Sequence, residues 1–263
     1  MMPEIEILEE SDFKIKFILK NASPALANSF RRAMKAEVPT MAVDYVDIYL
    51  NSSYFYDEVI AHRLAMVPIK TYLDRFNMQN ECSCGGEGCP SCQISFRLNV
   101  EGPKVVYSGD FISDDPEVVF AIENIPVLEL FEGQQLMLEA IARLGTGREH
   151  AKFQPVSVCV YKIIPEIHVS EKCNGCGECI NACPRNVFEN GDRVKVKDLM
   201  SCSMCGDCVK VCEINAITIK ETNNFLFTVE GTGALPVREV MRKALEILKS
   251  KAEEMNKIIE EIS

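Results

Sequence analysis

The sequence has no tryptophan, and only three histidines among its 263 residues. His62, His150 and His168 are widely scattered, so no catalytic or metal-binding histidine pair is discernible. Positive charge is also scarce. Lys and Arg number 28 against 39 Asp and Glu, a net charge of −11. A chain this acidic is not expected to grip a nucleic-acid backbone directly, which requires a basic surface. No apolar run approaches the ~20 residues of a membrane span, so no membrane role is expected. The opening Met-Met-Pro-Glu-Ile-Glu is acidic where a secretory leader would be basic. The expected compartment is therefore a reducing cytoplasm. GTG at 145–147 and again at 231–233 lacks the form of a phosphate-binding loop, and both are read as turns. No Ser/His/Asp set and no carboxylate pair stands out, so no catalytic residue is assigned.

Cysteine, by contrast, is abundant, with 13 in the chain. Eight fall in two runs, CNGCGECINACP from Cys173 and CSMCGDCVKVCE from Cys202. Each run has the form C-x2-C-x2-C-x3-C. Three thiolates at three-residue steps wrap one face of an iron–sulfur cube, and the fourth Cys ligates the other cube. Cys173, Cys176, Cys179 and Cys212 are thus assigned to one [4Fe–4S] cluster, and Cys202, Cys205, Cys208 and Cys183 to a second. Gly175, Gly177 and Gly206 suit the tight turns around each cube. Pro184 follows the fourth Cys of the first run, whereas Glu213 stands at the matching place in the second. The alternatives are zinc or disulfides, though zinc sites rarely show this double run.

Four more cysteines form C-x-C-x4-C-x2-C: Cys82, Cys84, Cys89 and Cys92, with Gly85, Gly86 and Gly88 between them. This pattern suits one zinc ion closed by four thiolates. Iron, a disulfide under oxidation, or free thiols on a flexible tip are the alternatives.

Taken in order, residues 4–20 read as two strands around a polar turn at 9–12. Ser23 is a natural N-cap and Pro24 a natural first helical residue. Leu26, Phe30 and Met34 share one helix face, and Val38-Pro39 ends the helix. Residues 41–50 alternate as a strand, and short alternating runs occupy 94–131. Residues 134–144 carry Leu136, Leu138 and Ile141 near helical spacing, with strand equally open. Residues 223–230 read as a strand returning to the first sheet. Pro236 then opens a helix to about residue 260. Its apolar stripe includes Val240, Met241 and Leu248 and is long enough to suggest a partner helix.

LANSFRRAMKAEVPTMAVDYVDI (26–48), DEVIAHRLAMVPIKT (57–71) and RLGTGREHAKFQPVSVCVY (143–161) together resemble the RNA polymerase α family. The family includes bacterial α, the third-largest subunit of eukaryotic polymerase II and their archaeal counterpart. This scaffold with a ferredoxin-like insert is similar to the archaeal branch, and the 82–92 loop is similar to the zinc loop of the eukaryotic relative. The resemblance implies an α+β chain. A dimerisation domain (3–45 and 222–263) would carry an inserted mixed α/β domain (46–165) and a ferredoxin-like domain (166–221). It implies a non-catalytic polymerase subunit that pairs with a small α-like subunit L. The pair would serve as the platform for the large catalytic subunits, with Leu26, Phe30, Arg31, Arg32, Met34, Val240, Met241 and Leu248 at interfaces. Two [4Fe–4S] clusters and one zinc would be its cofactors. The iron–sulfur domain would stabilise the chain and regulate assembly with redox state or oxygen. An electron-transfer protein is the rival reading. It predicts a flavin or nicotinamide fingerprint, and the sequence has none.

Overall fold

The computed structural model describes residues 2–262. The architecture is α+β. β1 (Glu4–Glu10) and β2 (Lys14–Lys20) form a hairpin whose turn is closed by Ser11 N donating to Lys14 O at 2.8 Å. α1 (Pro24–Ala36) begins where Ser23 Oγ accepts the Leu26 N–H at 3.1 Å, satisfying one of the orphan donors of the first turn. It stops just before Val38-Pro39. The 145–147 glycines belong to this stop. Arg148 N donates to Ala36 O at 3.1 Å, and a Cβ on Gly147 would lie 2.4 Å from Lys35 O. The segment is a close backbone crossing, as a turn, and not a phosphate cradle.

β3 (Thr40–Asn51) leads to α2 (Asp57–Met66), which buries Ile60 and Leu64 and ends ahead of Val67-Pro68. Then come β4 (Gln93–Glu101), β5 (Lys104–Tyr107), β6 (Ile112–Ser113), β7 (Pro126–Leu130) and β8 (Gln135–Gly145). β8 settles the open reading of 134–144 as strand. It is central in a sheet of order β3-β8-β4-β6, paired antiparallel to β3 and β4 along its length. Leu136, Leu138, Ala140, Ala142 and Leu144 alternate into one core with Phe96, Leu98, Val106, Phe120 and Leu128. Burying each large aliphatic side chain of that set is worth about 1.5–3 kcal/mol over leaving it in water.

β9 (Val156–Val169) is followed by α3 (Glu178–Ala182), β10 (Phe188–Glu189), β11 (Lys195–Val196) and α4 (Asp207–Lys210). β12 (Ile217–Gly231) completes a sheet of order β1-β2-β12-β9, so the 223–230 segment does return to the first hairpin. Phe17 and Phe227 stack at 4.8 Å, and Tyr161 meets Phe225 edge-on. α5 (Val237–Ile262) closes the chain.

The chain divides into two compact units. One comprises Met1–Glu10, Lys16–Ser29 and Val160–Thr228; the other comprises Ser11–Ile15, Phe30–Cys159 and Val229–Ser263.

Candidate metal centres

The two cysteine runs fold as near repeats of one another. In each, a glycine with positive φ (Gly177 at 81°, Gly206 at 78°) starts a short helix, α3 or α4. Each helix carries the third Cys of its run, Cys179 or Cys208, into the interior. Three residues past each fourth Cys, Asn186 and Asn215 adopt left-handed backbone, and each donates its N–H to the carbonyl of that Cys. The repeat tolerates one mismatch. Gly175 (φ 71°) precedes Cys176, but Met204 (φ 59°) holds the same conformation before Cys205. That conformation strains a side-chain-bearing residue.

This folding produces two cavities. Cys173, Cys176, Cys179 and Cys212 line one, together with Val194, Ile214 and Ile217. Cys183, Cys202, Cys205 and Cys208 line the other, together with Val187, Phe188 and Ile219. Each cavity therefore takes three sulfurs from one run and the fourth from the other. The electrostatics fit a polynuclear thiolate-bound centre. Burial pushes the Cys208 thiol up to about 11, and the neighbouring sulfurs of Cys183, Cys202 and Cys205 push the same way. Cys179 is raised by burial first and then by Cys176, Cys173 and Cys212. Cys173 is lowered, by N–H groups of Val194 and Gly175. Four thiolates in an apolar pocket repel one another, and cationic iron among them removes that penalty.

Cys82, Cys84, Cys89 and Cys92 converge differently. Their sulfurs all lie within 4.8 Å of one another. Cys82–Cys89 is 3.6 Å, Cys84–Cys92 is 3.7 Å and Cys89–Cys92 is 3.9 Å. A tetrahedron with metal–sulfur bonds of about 2.3 Å has edges of about 3.8 Å, so the four thiols match a single four-coordinate ion such as zinc. Gly85, Gly86 and Gly88 all have positive φ, which lets the loop fold back on itself. N–H groups of Gly86 and Gly88 lower Cys84 to about 6, whereas burial pushes Cys92 up to about 12. His150 is not a ligand here. Its Nδ1 accepts the Lys152 N–H at 3.1 Å and caps a short 3-10 turn.

The residues expected at interfaces divide by burial. Phe30, Met34, Val240 and Met241 are buried within the single chain, so the apolar stripe there packs into the chain's own core. Leu26 and Arg32 are exposed, and Arg31 and Leu248 are half-buried. Beyond Ala244, α5 instead exposes Leu245, Met255, Ile258, Ile259 and Ile262. The sequence did not single out Lys162. On β9, its Nζ donates to the carbonyls of Met200 and Cys202, the latter at 3.3 Å. A lysine in an otherwise ordinary strand carries no signal of such a role.

Among the described residues, no helix is long and apolar enough to cross a membrane. Residues 46–165 match the family model described as the RNA polymerase Rpb3/RpoA insert domain, and residues 166–213 match that of the 4Fe-4S dicluster domain. The chain is 89% identical to DNA-directed RNA polymerase subunit Rpo3 of Archaeoglobus fulgidus, over the whole of both chains. It is 45% identical to that of Methanosarcina acetivorans, again over the whole of both. With that of Pyrococcus furiosus the identity is 38%, over 95% of this chain and 94% of the other. A scaffold matching the insert domain, two four-cysteine cavities and identity spread along the full chain lead to one conclusion: it belongs to the archaeal Rpo3 family of DNA-directed RNA polymerase subunits, which are non-catalytic components of the enzyme.

Proposed function

We propose that this subunit pairs with a small α-like subunit, subunit L, and that the pair is the cytoplasmic platform on which the large catalytic subunits assemble. Residues 3–45 and 222–263 would form the dimerisation domain, residues 46–165 an insert that meets further subunits, and residues 166–221 the iron–sulfur domain. The observation that carries the pairing is α5. Its 26 residues span about 39 Å at ~1.5 Å per residue. Its buried side chains, Val237, Val240, Met241 and Ala244, all lie near its start. The rest of the helix presents Met255, Ile258 and Ile262 outward, and apolar residues at helical spacing are what a partner helix covers. Removing residues 251–263 is expected to abolish co-elution with the small subunit while leaving iron and zinc content unchanged. Undiminished co-elution would contradict the pairing.

In this reading Cys173, Cys176, Cys179 and Cys212 hold one [4Fe–4S] cluster, and Cys202, Cys205, Cys208 and Cys183 hold the other. Cys82, Cys84, Cys89 and Cys92 hold zinc and stiffen the tip of the insert. The clusters supply thiolate–iron bonds, which are folding free energy for a segment with little apolar core of its own and are sensitive to oxygen. This chain's residues set the cavities, and regulation follows if loss of a cluster loosens the segment and slows assembly.

A further inference from the structure

The two cysteine cavities are not equivalent in how their walls are held. Leading into the second cavity, residues Leu199–Ser201 form a 3-10 turn that ends on Cys202. Asp198 caps it, accepting the Ser201 N–H at 3.2 Å. Leu199 and Met200 pack against Ile18 of β2, Ile164 of β9 and Leu226 of β12. Lys162 of β9 reaches the same turn, with its ammonium on the carbonyls of Met200 and Cys202. Carbonyl oxygens at a turn end have no helical partner, and a charged donor is stronger than a neutral one. The first cavity is held otherwise. It meets the sheet at its end: Ile217, the first residue of β12, lines it, and Ser170 N donates to Ala216 O where β9 ends and β12 begins, with Cys173 N donating to Ser170 O.

We infer that Lys162 is a latch that ties the second cavity, the one lined by Cys183, Cys202, Cys205 and Cys208, to the middle of the β2–β12–β9 sheet, so that the state of this cavity is transmitted to the sheet around Ile18, Ile164 and Leu226, which the first cavity, seated at the strand ends, does not reach. The inference rests on the cluster assignment proposed above and adds a direction to it. A filled cavity fixes Cys202, Cys202 fixes the turn, and the turn seats Leu199 and Met200 on Ile18, Ile164 and Leu226. An emptied cavity frees Cys202 and leaves Lys162 without two fixed acceptors. Lys162 is a positioning residue, and its ammonium also places positive charge beside the second cavity. That charge favours the more negative, reduced form of a centre held there.

The test uses the full chain, purified without oxygen, as wild type and as the variants Cys176→Ser, Cys205→Ser, Lys162→Met and Lys162→Arg. Three readouts are taken: iron per chain, hydrogen exchange of amides in β2, β9 and β12, and a reductive titration followed by electron paramagnetic resonance. Cys205→Ser is expected to speed exchange around Ile18, Ile164 and Leu226 about tenfold or more, and Cys176→Ser to leave it unchanged. Lys162→Met is expected to retain full iron, to speed the same amides, and to move one of the two cluster potentials lower while leaving the other in place. Lys162→Arg, which also donates to two carbonyls, is expected to restore both. Wild-type chain without iron would overturn the cluster assignment itself. Iron-loaded wild type in which both cysteine variants loosen the sheet equally would overturn the latch alone, as would a silent Lys162→Met.

Discussion

Asp44 on β3 ties its strand to β8 and to the turn at 151–153 with one carboxylate. It accepts from Arg143 Nε and Lys152 Nζ, each at 2.7 Å, and Arg143 also reaches Glu149 at 3.2 Å. Burial alone would raise the Asp44 carboxyl, but the hydrogen bonds from Arg143 and Lys152 outweigh it and hold the group below the usual carboxylate range. The sign follows. A depressed folded pKa contributes stability above the unfolded value of about 3.9, and that contribution is lost as pH falls through the folded value. Asp44→Asn is expected to cost about 1–3 kcal/mol at neutral pH. The gap from wild type should close as the pH is taken below about 4. Exchange of the β3–β8 amides, followed across that range in both proteins, checks both statements. A gap that persists in acid would assign the loss to packing.

At the scale of elements, α5 is two helices in one. Its start is part of the chain's own core, and its remainder is an outward apolar stripe. Substitutions along it should separate cleanly. Met241→Ala is expected to destabilise the fold by about 2–5 kcal/mol through a cavity. Ile258→Ala is expected to leave thermal stability alone and weaken binding of the small subunit about tenfold, or 1.4 kcal/mol. Calorimetry and a binding titration on the two variants read these outcomes. The same helix marks a limit of sequence reading. An apolar stripe announces that something covers it, not whether the cover is the same chain. For that reason Val240 and Met241, with Phe30 and Met34 on α1, were expected at an interface and are found in the core. β8 marks another limit. Its inward side alternates perfectly, but Ala140 and Ala142 fill two of the five places and are too small to announce the alternation. Leu136, Leu138 and the outward-side Ile141 then mimic a helical stripe.

At the scale of the whole molecule, the most legible features were those in which chemistry needs rigid spacing. The three-residue steps of the cysteine runs, the Ser23-Pro24 helix start and the Val38-Pro39 stop each encode geometry within a few neighbouring residues. The sorting of eight cysteines into two cavities follows from those steps. Contacts across long sequence separations were not legible, and Lys162 on Met200 and Cys202 is the clearest instance. No local pattern distinguishes that lysine from one in solvent. The net charge of −11 suits a chain whose partners are the other subunits of the polymerase.

The measurement that tests the central claim most directly is native mass spectrometry of the chain purified without oxygen from its own cells. It weighs partners and metal together. The account predicts a complex containing a small α-like subunit, with the added mass of two [4Fe–4S] clusters and one zinc on this chain. A solitary chain, or one carrying a single cluster in its intact form, would contradict it.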